Sequence, residues 1–275
     1  MKVAAVDIWV VSTWTFILPI LCFLCQPTIA AIGEQRLEQI RLIVNTIQRW
    51  SNNRTSNGRP FITLSFAQSI DGKIAAQDKD LSLSQNFPIS GEESLYMTHA
   101  LRSIHDAILV GGKTLLIDNP RLSNRLFGNE QPRPIILDTD LKCIQKLGNR
   151  RKVQNAIVCC AEEAIRSFDN DGANLTLVPC KVDGSGHVDL DDVLHQLSSL
   201  FGIRSIMVEG GSSILSSFAS KGLVDCLCLT IAPKLIGRGI PAFSNMHASI
   251  DLADSASSSF IPLGQDCVFL CQWQT

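Results

Sequence analysis

The run Glu209-Gly210-Gly211-Ser212-Ser213 joins a carboxylate to a glycine turn and two small polar residues. It follows a strand-like apolar run that ends at Val208. Glycines permit a tight turn, and the serines begin a predicted helix that runs to about Lys221. The first N–H groups of a helix lack partners within the helix and attract phosphate. The run therefore predicts a nucleotide-phosphate site beside Glu209, an acid placed for chemistry.

The elements that must position this run alternate along the chain from residue 61. Short apolar runs between helical patterns predict an α/β domain with a mostly parallel sheet. Because ligands bind at the carboxyl ends of such strands, Gly111-Gly112, Asp138-Thr139 and Glu209-Gly210-Gly211 should gather at one edge. Strands are predicted at 61–66, 107–110, 134–137, 156–160, 175–179, 203–209, 226–231 and 268–273, and helical segments at 92–104, 114–117, 190–200 and 212–221.

Composition limits the class of protein. The chain has 275 residues, 45% of them hydrophobic, which is enough for one large domain with a full core. The net charge of −2 argues against a nucleic-acid binder, which usually carries a basic excess. The ten cysteines are scattered, mostly within apolar runs, and predict reduced, buried thiols. Cys226 and Cys228 should face the same side of a strand, and no cysteine pairs frame a metal site.

The N-terminal 33 residues form a separate segment. Residues 8–32 are strongly apolar, interrupted by Pro19 and Pro27, and resemble a signal peptide or a signal anchor. Five arginines follow within residues 36–59, so the segment predicts organelle targeting or membrane contact through residues 8–32 of an otherwise intracellular enzyme. An erroneous start of the coding sequence is the alternative.

Residues 34–58 are predicted to form a helix and a polar linker. Leu37, Ile40, Val44 and Ile47 share one helical face. A polar run from Ser51 then separates this helix from the domain predicted at residues 59–275.

Three familiar motifs are excluded by missing residues. Gly112-Lys113-Thr114 resembles the end of a P-loop, but Ala107 stands where the first glycine is required. Pro179-Cys180 lacks the second cysteine of a zinc-deaminase element, because Asp183 occupies that place. No Gly-x-Gly-x-x-Gly follows the first strand, so an ordinary Rossmann site is not expected.

The remaining motifs, taken together in their order and spacing, resemble those of the riboflavin-biosynthesis reductase family over about residues 59–273. This family includes the C-terminal domain of bacterial bifunctional deaminase-reductases and the fungal and archaeal 2,5-diamino-6-ribosylamino-4(3H)-pyrimidinone 5′-phosphate reductases. The motifs are Thr63 to Ala75 with Ala67-Gln68-Ser69-Ile70-Asp71-Gly72-Lys73, His99 to Arg102, His105 to Thr114, Asp118 to Arg125, Val208 to Gly211, and Ile231 to Gly237.

The resemblance implies a dihydrofolate-reductase-like three-layer αβα fold, a homodimer, and NADPH-dependent reduction of a ribosylamino-pyrimidine 5′-phosphate at C1′ of its opened sugar. It implies that Arg102 and Arg125 hold the substrate phosphate, that Leu122 gives a backbone contact to the substrate, and that Glu209 is the catalytic carboxylate near the reacting sugar; the group that donates the proton stays open. From the residues alone, the arginines could instead be surface residues and Glu209 a helix cap. Cofactor contacts are implied for Gln68, Thr114, Asp118, Gly210, Gly211, Ser212, Ser213 and Ile214.

Two departures from the family pattern bear on substrate and mechanism. Many bacterial members have Lys where this chain has Ser65, and Trp where it has Pro88, so a lysine proton donor does not carry over. The wording around Asp71 and His99 is closer to the branch that reduces the diamino-pyrimidinone, and residues 1–58 do not resemble a deaminase domain, as expected of that stand-alone branch. The alternatives are reduction of 5-amino-6-(5-phosphoribosylamino)uracil and a catalytically silent nucleotide-binding relative. Two interpretations of Asp71 stay open. It either stabilises the Asp71-Gly72 turn or takes a direct part in the site.

Overall fold

The computed structural model describes residues 32–54, 58–76, 88–127, 131–168, 174–244, 246, 249–252 and 255–273. In chain order the elements are α1 Glu34–Asn53, β1 Phe61–Ser69, β2 Lys73–Ala76, α2 Glu92–Ile104, β3 Ala107–Gly111, α3 Gly112–Asp118, β4 Arg133–Leu137, α4 Lys142–Leu147, β5 Ala156–Ala161, α5 Glu162–Arg166, β6 Leu175–Cys180, α6 Leu190–Phe201, β7 Ser205–Gly210, α7 Ser212–Ser220, β8 Cys226–Ala232, β9 Gly239–Pro241, β10 Ser257–Leu263 and β11 Asp266–Gln272.

The central sheet has nine strands in the order β10-β11-β8-β1-β7-β3-β4-β5-β6. The pairs from β8 to β6 are parallel, while β11 runs antiparallel to β8 and β10 antiparallel to β11. Strands buried on both faces need apolar residues throughout, which is why the inner strands read as continuous apolar runs. The predicted mostly parallel sheet is confirmed.

Helices cover both faces of this sheet, as expected for three αβα layers. One face packs against α6 and α7 through Leu194, Leu197, Leu215 and Phe218. The other face carries α1 and α2 on one half and α3 and α4 on the other. Because the faces alternate along each strand, Val208 points to the first layer and Met207 to the second.

The first helix is part of the same core as the sheet. Its buried face comprises Ile40, Ile43, Val44, Ile47 and Trp50, which pack in one cluster with residues of β1 and α2. The helix continues to Asn53, so the polar linker expected from Ser51 begins later. A domain boundary at residue 59 stays a prediction.

The described cysteines are free thiols, and most of them are buried, as predicted. Cys226 and Cys228 are fully buried in one cluster on the same side of β8. Among the described residues no helix is long and apolar enough to cross a membrane. Nearly all of the predicted signal or anchor segment, and Cys22 and Cys25 within it, lie outside the described residues.

Candidate active site

The turn after β7 has the geometry predicted for an anion site. Gly210 and Gly211 have φ values of 109° and 73°, a region in which side chains with a Cβ are strained. No side chain caps α7, which begins at Ser212. The Ser212 hydroxyl instead donates to Ser244 Oγ at 2.9 Å. The first N–H groups of α7 thus have no side-chain cap and can bind an anion.

The strand ends of β3, β4 and β7 meet at this turn, as predicted. A Cβ placed on Gly211 would lie 2.6 Å from Thr114 Oγ1, and one on Gly111 would lie 2.9 Å from Ile214 Cγ1. A Cβ on Gly112 would likewise meet Asp138 at 2.9 Å. The two strand-to-helix turns approach so closely that glycine is required, and they form one continuous edge.

Glu209 is bound by Arg102 from the neighbouring layer. Arg102 donates from Nε to Oε1 at 2.6 Å and from Nη2 to Oε2 at 2.7 Å, in a two-pronged ion pair. The two side chains are only 13% and 15% exposed. The alternative of a surface arginine therefore fails for Arg102, and Glu209 does not cap the next helix.

The pair is charged. Burial disfavours the Arg102 cation, but the adjacent Glu209 carboxylate outweighs burial and raises the pKa of Arg102. Arg102 Nη1 also donates to the carbonyl of Ser123 at 3.0 Å. The guanidinium thus joins three chain segments: α2, the end of β7 and the loop after α3.

That loop, residues 121–127, carries two predicted substrate residues. Leu122 has φ 49° and is 2% exposed, so its side chain lies in the core and its backbone is what it can offer a ligand. The side chain of Arg125 is exposed, and its backbone N–H donates to His99 Nδ1 at 3.3 Å. Asn124 is buried and accepts from the N–H groups of Leu126 and Phe127 at 3.2 and 3.0 Å, which shapes the loop.

Of the other predicted residues, Gln68, Ser213 and Ile214 lie at the same edge, whereas Asp118 lies at the far end of α3. Gln68 is half-buried near the end of β1, in register with Ile231. Asp118 is exposed and ends α3, while Ser213 and Ile214 belong to the first turn of α7.

Ser65 and Glu209 lie on the same sheet face. Leu64 is in register with Val208, and Ser65 and Glu209 each come one residue later on the parallel strands β1 and β7. Ser65 is 6% exposed and hydrogen-bonds to the thiol of Cys228.

Asp71 has a structural role in the described fold. Its carboxylate accepts from Ser69 Oγ at 2.6 Å and from the N–H groups of Ile236 and Gly237 at 3.1 and 2.7 Å. These bonds, the Ser69 hydroxyl first, lower the pKa of Asp71 to about 2. Asp71 therefore ties the turn after β1 to the loop after β8, as the turn interpretation expected.

His99 is a residue of this edge to which the sequence assigned no role. It is 1% exposed and lies three residues before Arg102 on α2, hence on the same helix face. The three-residue spacing from Arg102 could have indicated a role for His99 in the site. A histidine in an apolar helix, however, is also an ordinary core residue.

A sequence profile of the RibD C-terminal domain matches residues 60–261. The chain belongs to this family. The match covers both sides of the edge described above, from β1 into β10.

Individual relatives are similar to most of the chain. The 2,5-diamino-6-ribosylamino-4(3H)-pyrimidinone 5′-phosphate reductase of Debaryomyces hansenii is 32% identical over 215 residues, covering 72% of this chain and 85% of the relative. The riboflavin biosynthesis protein RibD of Aquifex aeolicus is 33% identical over 186 residues, covering 66% of this chain and 49% of the relative. A solved structure of the Saccharomyces cerevisiae riboflavin biosynthesis reductase Rib7 matches with a TM-score of 0.64 and 26% identity, covering 84% of this chain and 98% of that one.

Proposed function

We propose that this RibD-family chain is an NADPH-dependent reductase of 2,5-diamino-6-ribosylamino-4(3H)-pyrimidinone 5′-phosphate in riboflavin biosynthesis. The observation that carries the proposal is the buried, charged Arg102–Glu209 pair beside the uncapped Gly210-Gly211 turn. The pair offers a fixed carboxylate to a sugar, and the turn offers N–H groups to a cofactor phosphate.

The glycine turn fits the cofactor. Thr114 Oγ1 lies 2.6 Å from the position that a Cβ on Gly211 would take, so only glycine fits there, and the first N–H groups of α7 have no side-chain cap and can bind a pyrophosphate. Gly210, Gly211, Ser212, Ser213 and Ile214 would hold the phosphates, and Gln68, Thr114 and Asp118 would line the rest of the cofactor. The cofactor supplies a hydride; the chain supplies its binding and orientation.

In this proposal Arg125 is the principal residue that binds the substrate phosphate. The guanidinium of Arg102 has five N–H donors, and Nε, Nη1 and Nη2 each donate one of them within the protein. Arg125 is an exposed residue of the loop 121–127, between the buried residues Asn124 and Phe127. Arg102 thus mainly orients Glu209, whereas the family resemblance gave both arginines to the phosphate.

The reaction balances as a two-electron reduction. The glycosylamine opens to an imine when the C1′–O4′ bond breaks and O4′ gains a proton from the attached nitrogen. A hydride then bonds to C1′, the imine nitrogen gains a proton from solvent, and the product is a ribitylamine. Glu209 accepts hydrogen bonds from the sugar near C1′ and holds it in one orientation.

Substrate choice rests on the fungal relatives, which are named as reductases of the diamino-pyrimidinone. The test is to follow NADPH consumption by the purified full-length chain with that pyrimidinone and with 5-amino-6-(5-phosphoribosylamino)uracil. Preferential turnover of the pyrimidinone supports the proposal. Preferential turnover of the uracil would make the uracil, and not the pyrimidinone, the substrate of this enzyme. Absence of turnover with both compounds would contradict the proposed reductase activity.

Two further proposals follow from the family resemblance and the N-terminal sequence. We propose that the chain forms a homodimer, which light scattering of the purified protein tests. We propose also that residues 1–33 direct the enzyme to an organelle or a membrane, which N-terminal sequencing of the native protein and cell fractionation test.

A further inference from the structure

His99 lies beneath the proposed phosphate-binding loop. Its side chain is buried, and Nδ1 accepts the backbone N–H of Arg125 at 3.3 Å. Burial, together with the charges of Arg102 and Arg125, lowers the pKa of His99 to about 4. The imidazole is therefore neutral near pH 7, and Nδ1 keeps the lone pair that this hydrogen bond requires.

The loop 121–127 is joined to α2 at two points. Arg102 donates to the carbonyl of Ser123, and His99 accepts from the N–H of Arg125, one turn earlier on the same helix. Asn124, between those two loop residues, is fixed by Gln131, whose side chain accepts from its N–H at 2.9 Å and donates to its carbonyl at 2.8 Å. The backbone that carries Arg125 is thus held from both sides.

The backbone and the guanidinium of Arg125 lie in different surroundings. The backbone is fixed on the buried imidazole, while the guanidinium is exposed at the site edge. A long cation binds an anion more tightly when fewer of its conformations must be frozen on binding. Fixing the main chain at Arg125 restricts where its guanidinium can reach.

We infer that His99 is a positioning residue for the phosphate end of the substrate, acting through the backbone of Arg125. This inference rests on the proposed function, because the anion it serves is the substrate's 5′-phosphate. Loss of the His99 contact should weaken binding of the pyrimidine substrate. Binding of the cofactor should not change, because the cofactor binds on the α7 side of the edge.

The test compares His99→Leu with His99→Asn. Leucine keeps the side chain apolar and of similar bulk but removes the acceptor, whereas the Oδ1 of asparagine can replace Nδ1. His195→Leu, at an exposed histidine on α6, is the matched control. Amide hydrogen exchange of a peptide spanning residues 121–127 reports the contact itself, and KM for each substrate reports its consequence.

We expect His99→Leu to speed exchange of this peptide and to raise KM for the pyrimidine about tenfold, the effect of one lost hydrogen bond. KM for NADPH should stay within about twofold, His99→Asn should recover most of the loss, and His195→Leu should change neither measurement. Unchanged exchange in His99→Leu would refute the contact. Faster exchange with an unchanged pyrimidine KM, or equal loss in both His99 variants, would refute the positioning role.

Absence of turnover in the wild-type chain would remove the proposed function. The exchange measurement would still decide whether His99 holds the loop, because it needs no substrate.

Discussion

Arg102 on α2 and Glu209 at the end of β7 form a two-pronged ion pair, with N···O distances of 2.6 and 2.7 Å. The geometry fixes the carboxylate plane, because both of its oxygens are bound by one planar guanidinium. The pair joins the helix layer to the central sheet at the edge where β7 gives way to the glycine turn. The orientation of Glu209 thus depends on Arg102.

Replacing Glu209 with glutamine should impair both catalysis and folding. The amide keeps the shape but removes the charge opposite Arg102, a charged hydrogen bond that contributes about 1.5–3 kcal/mol. We expect kcat/KM to fall by at least about tenfold and the thermal midpoint to drop.

Glu162→Gln is the control for that variant. Glu162 pairs with Arg166 on the surface, where both side chains are about 70% exposed. Its loss should change stability by less than about 0.5 kcal/mol and leave kinetics intact. Equal effects of the two substitutions would contradict a special role for Glu209.

Arg102→Lys and Arg125→Lys should separate kcat from KM. Lysine keeps the charge at position 102 but cannot form the fork, so Glu209 loses its fixed orientation and kcat should fall more than KM rises. At position 125 the exposed cation binds the phosphate directly, and KM should rise with little change in kcat. Steady-state kinetics of both variants with the pyrimidine measure this, and the same pattern in both would contradict the division of roles.

Gly211→Ala should weaken cofactor binding. The new methyl would lie 2.6 Å from Thr114 Oγ1 on a backbone with φ 73°, so the turn must shift. We expect the Kd for NADPH, measured by fluorescence titration, to rise at least about tenfold because the phosphate N–H groups move.

Two variants test the cause of that loss. Thr114→Ala in the Gly211→Ala background removes the clashing hydroxyl and should recover part of the affinity. Gly184→Ala adds a methyl where nothing lies within 4 Å and should leave Kd unchanged. A full loss in the double variant would assign the effect to backbone strain alone.

The inner strands and main helices could be predicted because their patterns are strong. The helix from Glu92 to Ile104 matches its prediction at both ends, and most predicted strands differ from the observed ones by a few residues. The short helices α4 and α5 and the strands β2, β9 and β10 were missed. Five- or six-residue helices show little periodicity, and β10 is an edge strand whose residues are mostly exposed.

The residues of the site could be predicted from motifs, but the contacts between those residues could not. Glu209 and Arg102 lie 107 residues apart in sequence, and no local pattern shows that the arginine's fork binds the carboxylate. The contact between His99 and Arg125 depends on how the loop 121–127 folds back onto α2. Such contacts are set by tertiary packing, which a single sequence does not reveal.

Asp71 should contribute to stability above about pH 4 and lose that contribution as the pH falls. Its folded-state pKa of about 2 lies below the ordinary value near 3.9, so the unfolded chain takes up the proton first. Asp71→Asn should therefore lower the thermal midpoint at pH 6, and the gap to wild type should narrow between about pH 4 and pH 2.

Ser69→Ala removes the largest cause of that pKa shift and should show a smaller effect in the same direction. Thermal melts of the three proteins across this pH range measure both effects. A gap between wild type and Asp71→Asn that stays constant with pH would contradict the stabilising role of the ionised carboxylate.

The most direct test of the central claim is transfer of deuterium to the pyrimidine substrate from NADPH that carries deuterium at both C4 positions, detected by mass spectrometry and NMR of the product. We expect a ribitylamino product with one deuterium at C1′, formed by the wild-type chain and strongly diminished in Glu209→Gln. Unlabelled product, label at another carbon, or equal yields from the two proteins would contradict it.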